Sequence, residues 1–286
     1  MSKPIIVVAT LGGAQTLAWG STYYLPAILA APMARELGVS SATIFSAFSA
    51  ALVLTAILGP FAGRRIDRFG GRDVLALSNL IFAAGLVALG TAQGSVMLFA
   101  AWLVIGVGMA LGLYEAAFST LAGLYGRDAR GAITGITLIA GFASTICWPI
   151  TAWLEFEVGW RLTCFIWAAV HLAIGLPLNR FGVPASVAQT ATTDKCHTPS
   201  TPPTSPVPQT GTMLLLAFVF AATWFTSTAM AAHLPALLLE AGATPSAAIA
   251  AAALIGPAQV AGRLLEFGAL RHFHPLLSAR LAAIAH

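Results

Sequence analysis

Gly63-Arg64-Arg65-Ile66-Asp67-Arg68-Phe69-Gly70-Gly71-Arg72-Asp73 is a dense cluster of charge, with six charged residues in eleven. It borders two intervals, 37–63 and 74–114, that contain no Asp, Glu, Lys or Arg. That contrast decides the class of fold. The stretch reads as a polar turn between segments that avoid water, and its glycines permit the tight reversal that two antiparallel helices need. The whole chain repeats the pattern. Only 8% of the 286 residues are charged and 58% are hydrophobic, whereas a soluble domain carries roughly 25% charged residues. So few charges cannot coat water-soluble globules of this length, and the bilayer is the solvent for most of the chain. A soluble enzyme and a nucleic-acid binder are excluded, in spite of a formal net charge of +4.

Crossing the hydrocarbon takes about 20 mostly apolar residues as a helix. The charge-free intervals supply eight such helices, at 5–30, 42–62, 74–91, 97–120, 132–153, 161–178, 212–238 and 245–262. The interval 74–114 is too long for one helix and divides at Thr91-Ala92-Gln93-Gly94-Ser95. The expected fold class is therefore all-α, a polytopic membrane helix bundle of about eight spans. The first apolar run exceeds the roughly 7–15 residues of a signal core, so it is a permanent span. Pro26, Pro149 and Pro235 mark expected kinks. Twelve of the fourteen Lys and Arg residues fall in loops on the N-terminal side, against only Arg35 and Arg161 opposite. That bias places both termini in the cytoplasm of a multi-pass plasma-membrane protein, in a bacterial-type inner membrane. Cys147 and Cys164 lie in helices and Cys196 in a cytoplasmic loop, so no structural disulfide is expected.

Residues 182–211 are rich in Pro, Ser and Thr, a composition that buries no core and predicts a flexible cytoplasmic linker. It separates an N-terminal six-helix bundle, 1–181, from 212–286, which holds two helices and a cytoplasmic tail. The two parts echo each other. Leu25-Pro26-Ala27-Ile28-Leu29 recurs as Leu234-Pro235-Ala236-Leu237-Leu238, and Gly63-Arg64-Arg65-Ile66-Asp67 as Gly262-Arg263-Leu264-Leu265-Glu266. The interval from Pro26 to Gly63 exceeds that from Pro235 to Gly262, which predicts a shorter outer loop in the second copy. Duplicated halves are a hallmark of secondary transporters.

The spacing of Gly63, Asp67, Arg68, Gly70 and Arg72 resembles the signature of the major facilitator superfamily between its second and third helices. Gly71 stands where that signature usually has a basic residue. Gly126-Arg127-Asp128-Ala129-Arg130-Gly131 and Gly159-Trp160-Arg161 extend the resemblance. It implies a major facilitator type bundle that moves a small organic solute by alternating access. It also implies a cytoplasmic gating motif built on Gly63, Asp67, Arg68, Gly70 and Arg72, with Arg127 and Arg130. The Asp67 carboxylate would latch one half to the other through helix N-termini or arginines. Three departures stand out. The family has twelve helices, and this sequence reaches only the approach to a ninth at Ser278-Ala279-Arg280-Leu281-Ala282. No Arg precedes Gly106-Val107-Gly108. Residues 141–149 lack the Gly-Pro-rich pattern of antiporters. The last two departures weaken any claim of drug/proton antiport, and the alternative is an incomplete or regulatory membrane protein with no transport of its own.

Ionisable groups inside spans are costly and functional by default. Glu115 shares helical spacing with Gly108, Gly112 and Ser119. It is expected to be shielded from lipid, as a proton carrier in the central cavity or as a tie to a neighbouring helix. Gln15, Trp19 and Tyr23 form an i, i+4, i+8 stripe suited to a solute-facing wall, and the resemblance implies that helices one and seven line the cavity. His233 shares a face with Thr226 and Met230, opposite Trp224. It is a candidate to bind solute, pass a proton or hydrogen-bond a neighbour. His171 is expected to be a satisfied packing residue. No cluster has metal-ligand spacing, His272 and His274 included, and no nucleophile–base pair or phosphate loop is present. The expectation is a non-enzyme without cofactor or metal. Its partners are the lipid bilayer, a small-molecule solute and, as a candidate, a proton.

Overall fold

A computed structural model describes residues 4–185 and 210–268. Most of the expected 182–211 linker, Cys196, the tail with His272, His274 and 278–282, and the side chain of Arg127 lie outside the described residues. Seven helical segments are long and apolar enough to cross a membrane. Helix one is Pro4–Leu37, helix two Ser41–Phe69, helix three Gly71–Gly90 and helix four Ser95–Tyr125. Ala129–Gly182 follows, then helix seven at Met213–Glu240 and helix eight at Pro245–Leu265.

Ala129–Gly182 has 54 residues. A straight helix of that length would extend about 80 Å, against about 30 Å of hydrocarbon. Gly159 breaks it, with φ 77° and ψ 164°. Trp167 Nε1 donates to Thr151 Oγ1 at 3.2 Å, so residues equally spaced on either side of Gly159 touch. The chain reverses at that glycine into helix five, 129–158, and helix six, 160–182. The result is an all-α bundle of eight crossings, with no strand among the described residues.

The charged stretch 63–73 is not the loop that its composition suggests. Helix two runs on to Phe69, carrying Arg64, Arg65, Asp67 and Arg68 on its last turns. The reversal is one residue, Gly70, at φ 84° and ψ 157°, a region open essentially to glycine alone. Its N–H still reaches Ile66 O at 2.8 Å. Gly71 already begins helix three. A Cβ on Gly71 would overlap Thr120 Oγ1 and stand 2.5 Å from Thr120 Cβ, so the position has no room for a basic side chain.

The turns after helix one and after helix seven share one geometry. Gly38 is left-handed at φ 65° before the cap Ser40, and Gly242 at φ 93° before the cap Thr244. Val39 N bonds to Ala34 O at 3.1 Å, and Ala243 N to Leu238 O at 3.0 Å, the 6→1 closure of a Schellman motif. The expectation of a shorter second outer loop is corrected. The turns are equal, and the difference lies in the helices, since Pro26 precedes Gly38 by twelve residues but Pro235 precedes Gly242 by only seven.

Small residues let the backbones approach, as lipid-embedded packing requires. A Cβ on Gly106 would stand 2.7 Å from Ala51 O, and one on Gly85 would stand 2.6 Å from Ile105 Cγ1. Two hydrogen bonds are among the contacts by which the second part docks on the first. Thr145 Oγ1 of helix five donates to Ala253 O of helix eight at 2.7 Å. Tyr23 of helix one donates to Thr228 Oγ1 of helix seven at 2.6 Å.

Candidate functional site

A cavity of about 560 Å³ opens among helices one, two, four and seven, lined by Trp19, Tyr23, Thr55, Glu115, Trp224 and Thr228 among others. A second space of about 240 Å³ shares Trp19, Tyr23, Trp224 and Thr228 and reaches helix eight at Gln259 and Arg263. Trp19 and Tyr23 fall about halfway along Pro4–Leu37, Thr55 halfway along Ser41–Phe69, and Trp224 and Thr228 halfway along Met213–Glu240. These positions put the space at the middle of the bilayer. Its volume lies within the roughly 300–1,000 Å³ of small-molecule sites.

Two helices are interrupted at this level. In helix one, Pro26 has no N–H to offer Thr22 O. Leu25 N bonds to that carbonyl instead, at 3.2 Å, and Tyr24 N reaches back to Trp19 O at 3.0 Å. The Tyr24 carbonyl accepts Trp148 Nε1 of helix five at 3.0 Å. In helix four, Leu113 is extended at φ −85° and ψ −167°, and Gln15 Nε2 donates to the freed Gly112 carbonyl at 2.7 Å. Broken helices at mid-membrane are the usual way that carriers expose polar backbone to a solute. Around them the rings interlock. The Trp19 centroid is 4.8 Å from both Tyr23 and Tyr114, and Tyr24 meets Trp148 edge-on at 5.4 Å.

The stripe divides: Trp19 and Tyr23 line the cavity, while Gln15 is buried behind it, tied to the break in helix four. Glu115 lines the larger cavity, away from the face of its expected companions. Gly108 and Gly112 lie against Phe82 and Ser78 of helix three. The extended Leu113 between them and Glu115 breaks the helical register on which that spacing rests. His233 is not on the cavity wall. It is exposed and faces the Phe45 ring at 4.3 Å, and Trp224 and Thr228 hold the wall position on helix seven. His171 is fully buried, with Nε2 at 2.7 Å from Ser21 Oγ and Nδ1 at 2.9 Å from Asn79 Oδ1.

At the end of the bundle formed by the 63–73 stretch, Asp67 faces helix four across a small cleft lined by Gly70, Gly71, Ser119, Thr120 and Gly123. Among the described residues it makes no ion pair. Asp73 does, with Arg72 at 3.3 Å and with Arg180 of helix six at 2.5 Å. Arg68 lies over the Phe69 ring, and Arg130 is exposed. At the opposite end, Arg161 joins Glu36 at 2.7 Å, Gly90 O at 2.8 Å and Ala92 O at 2.7 Å. Trp160 Nε1 donates to the same Glu36 at 2.5 Å. These contacts clasp helices one, three and six.

Sequence reasoning misses Thr55, Tyr114, Gln259 and Arg263. Polarity puts Arg263 in a cytoplasmic loop, but its helix runs on to Gly268, and the guanidinium donates to Thr137 O of helix five. The available signal is two polar residues, Gln259 and Arg263, four apart in an otherwise apolar run.

Two sets of membrane helices meeting around a central, solute-sized space define a carrier-type helical bundle. A model of the Major Facilitator Superfamily matches residues 11–285, and the chain belongs to that family. It is 29% identical over 151 residues to the "Uncharacterized MFS-type transporter Rv1250" of Mycobacterium tuberculosis (strain ATCC 25618 / H37Rv), covering 52% of this chain and 26% of that protein. The fold is similar to a bacterial homologue of the human drug peptide transporters PepT1 and PepT2. There the TM-score is 0.55 at 19% identity, over 94% of this chain and 53% of that one. It is also similar to tetrameric PepTSo2, with a TM-score of 0.52 at 16% identity, over 97% of this chain and 57% of that one. The chain thus spans little more than half the length of these solved structures.

Proposed function

We propose that the protein is a secondary carrier that moves a small organic solute across the membrane by alternating access. The observation that carries this reading is the cavity at half-height, where helices one, two and four face helix seven and two of the four are interrupted. A bundle serving only as an anchor has no need of polar, broken backbone around a space. On this reading 1–181 is one rocking unit, 182–211 a cytoplasmic linker and 212–286 the start of the second unit. Both termini are cytoplasmic in a plasma membrane. Trp19, Tyr23, Trp224 and Thr228 contact solute, and Glu115, the acidic residue on the cavity wall, is the candidate proton carrier. Asp67, with Gly63, Arg68, Gly70, Arg72, Arg127 and Arg130, forms the cytoplasmic latch. Asp67 makes no ion pair among the described residues, and on this reading its partner is engaged in the other state of a two-state carrier.

The test is solute entry into liposomes containing the purified full-length chain, across a panel of radiolabelled small organic solutes with and without a pH gradient. At least one solute should be carried and saturate. Asp67→Asn should slow it, and Glu115→Gln should remove any response to the gradient. No uptake of any solute by well-folded protein would favour a regulatory membrane protein instead.

A further inference from the structure

Resting on that reading, we infer that the solute is a small organic anion, an aromatic or apolar carboxylate, whose head is held by Arg263. The smaller space is walled by five rings, Trp19, Tyr23, Tyr24, Tyr114 and Trp224, and the cationic side chain on its wall is Arg263. Among the described residues no carboxylate lies within ion-pair distance of that guanidinium. A charge inside a membrane bundle ordinarily faces a partner or marks a solute path. Arg263 is only half-buried, and its position is set from two sides. It donates to Thr137 O of helix five and lies beside the Tyr114 hydroxyl of helix four. A guanidinium has five N–H donors in a planar fork, and bonds to Thr137 and Tyr114 still leave enough for a bidentate carboxylate.

The charges are also separated. Glu115 lines the larger space and Arg263 the smaller, while Trp19, Tyr23, Trp224 and Thr228 line both. An anion would keep its head at Arg263 and lay its apolar body on the shared rings, away from Glu115. A cation at Arg263 would meet like charge, and a neutral solute would leave the fork unused.

The test uses full-length protein in nanodiscs, with benzoate, benzylamine and benzyl alcohol as probes of one shape and three charges. Binding is read as a shift in thermal unfolding and by titration calorimetry. Benzoate should bind, and benzylamine and benzyl alcohol should bind at least tenfold more weakly. Arg263→Gln should weaken benzoate by about tenfold or more, the loss of a charge-assisted hydrogen bond at a half-buried site, while Arg263→Lys should recover part of the loss. Because Arg263 also braces Thr137, each variant is checked for monodispersity. Tyr24→Phe serves as a second variant that alters the cage and leaves the charge, and should keep the preference for benzoate. Equal binding of benzylamine or benzyl alcohol, unchanged benzoate affinity in Arg263→Gln, or no binding of benzoate would overturn the assignment. Benzoate binding without flux would sink the transport reading and leave the anion site standing. Flux of cationic or neutral solutes alone would do the reverse.

Discussion

Gly63 and Gly70 belong to one motif, yet the fold gives them opposite roles, so the same substitution should change stability in opposite directions. Gly70 occupies φ 84° and ψ 157°, where a Cβ costs about 1–3 kcal/mol. Gly63 lies inside helix two, and a Cβ added there would meet nothing within 4 Å. Alanine at that position should stabilise by up to about 1 kcal/mol, the intrinsic difference between the two residues in a helix. The gap between Gly70→Ala and Gly63→Ala should therefore be about 1–4 kcal/mol. Thermal unfolding of each variant in nanodiscs, followed by near-ultraviolet circular dichroism, measures the sign directly. If Gly63→Ala destabilised as much as Gly70→Ala, the reversal would not be confined to Gly70. The geometry of the turn between helices two and three would then be wrong. A stable Gly63→Ala with slowed flux would assign that glycine to the opposite state of the carrier, where its bare surface would meet a neighbouring helix.

Arg161→Ala removes the bonds to Glu36, Gly90 O and Ala92 O and should cost about 1–3 kcal/mol at this partly exposed site, read by thermal unfolding. Asp73→Asn breaks the exposed tie to Arg180. It should cost no more than about 1 kcal/mol, and the difference between variant and parent should shrink as salt is added. Gly256→Leu places a side chain where even a Cβ would stand 2.8 Å from Gly141 O, forcing helix eight off helix five. The variant should fold yet lose solute flux and the benzoate-induced shift together.

The number of crossings is legible in the sequence because charge is so scarce that its gaps outline the helices. The turn at Gly70 is not. Arg64, Arg65 and Arg68 read as loop by polarity, yet arginine is a good helix former, and the helix carries them past the apolar run. The same confusion hides Arg263, whose resemblance to Arg64 in the duplicated copy suggests a loop. Trp19 and Tyr23 are found because helical spacing holds over their own segment. Glu115 draws the wrong companions because the spacing argument crosses Leu113, whose extended backbone has no signature among apolar neighbours. Asp73 and Arg180 are 107 residues apart, and nothing local marks them as partners.

The most direct measurement is sidedness of access to the cavity. Thr228→Cys, in a chain with Cys147, Cys164 and Cys196 replaced, would be probed in sealed, oriented proteoliposomes with a membrane-impermeant maleimide. Alternating access predicts labelling from either face, slowed on one and hastened on the other when a transported solute is added. Labelling confined to one face under every condition, or unchanged by solute on both, would contradict it.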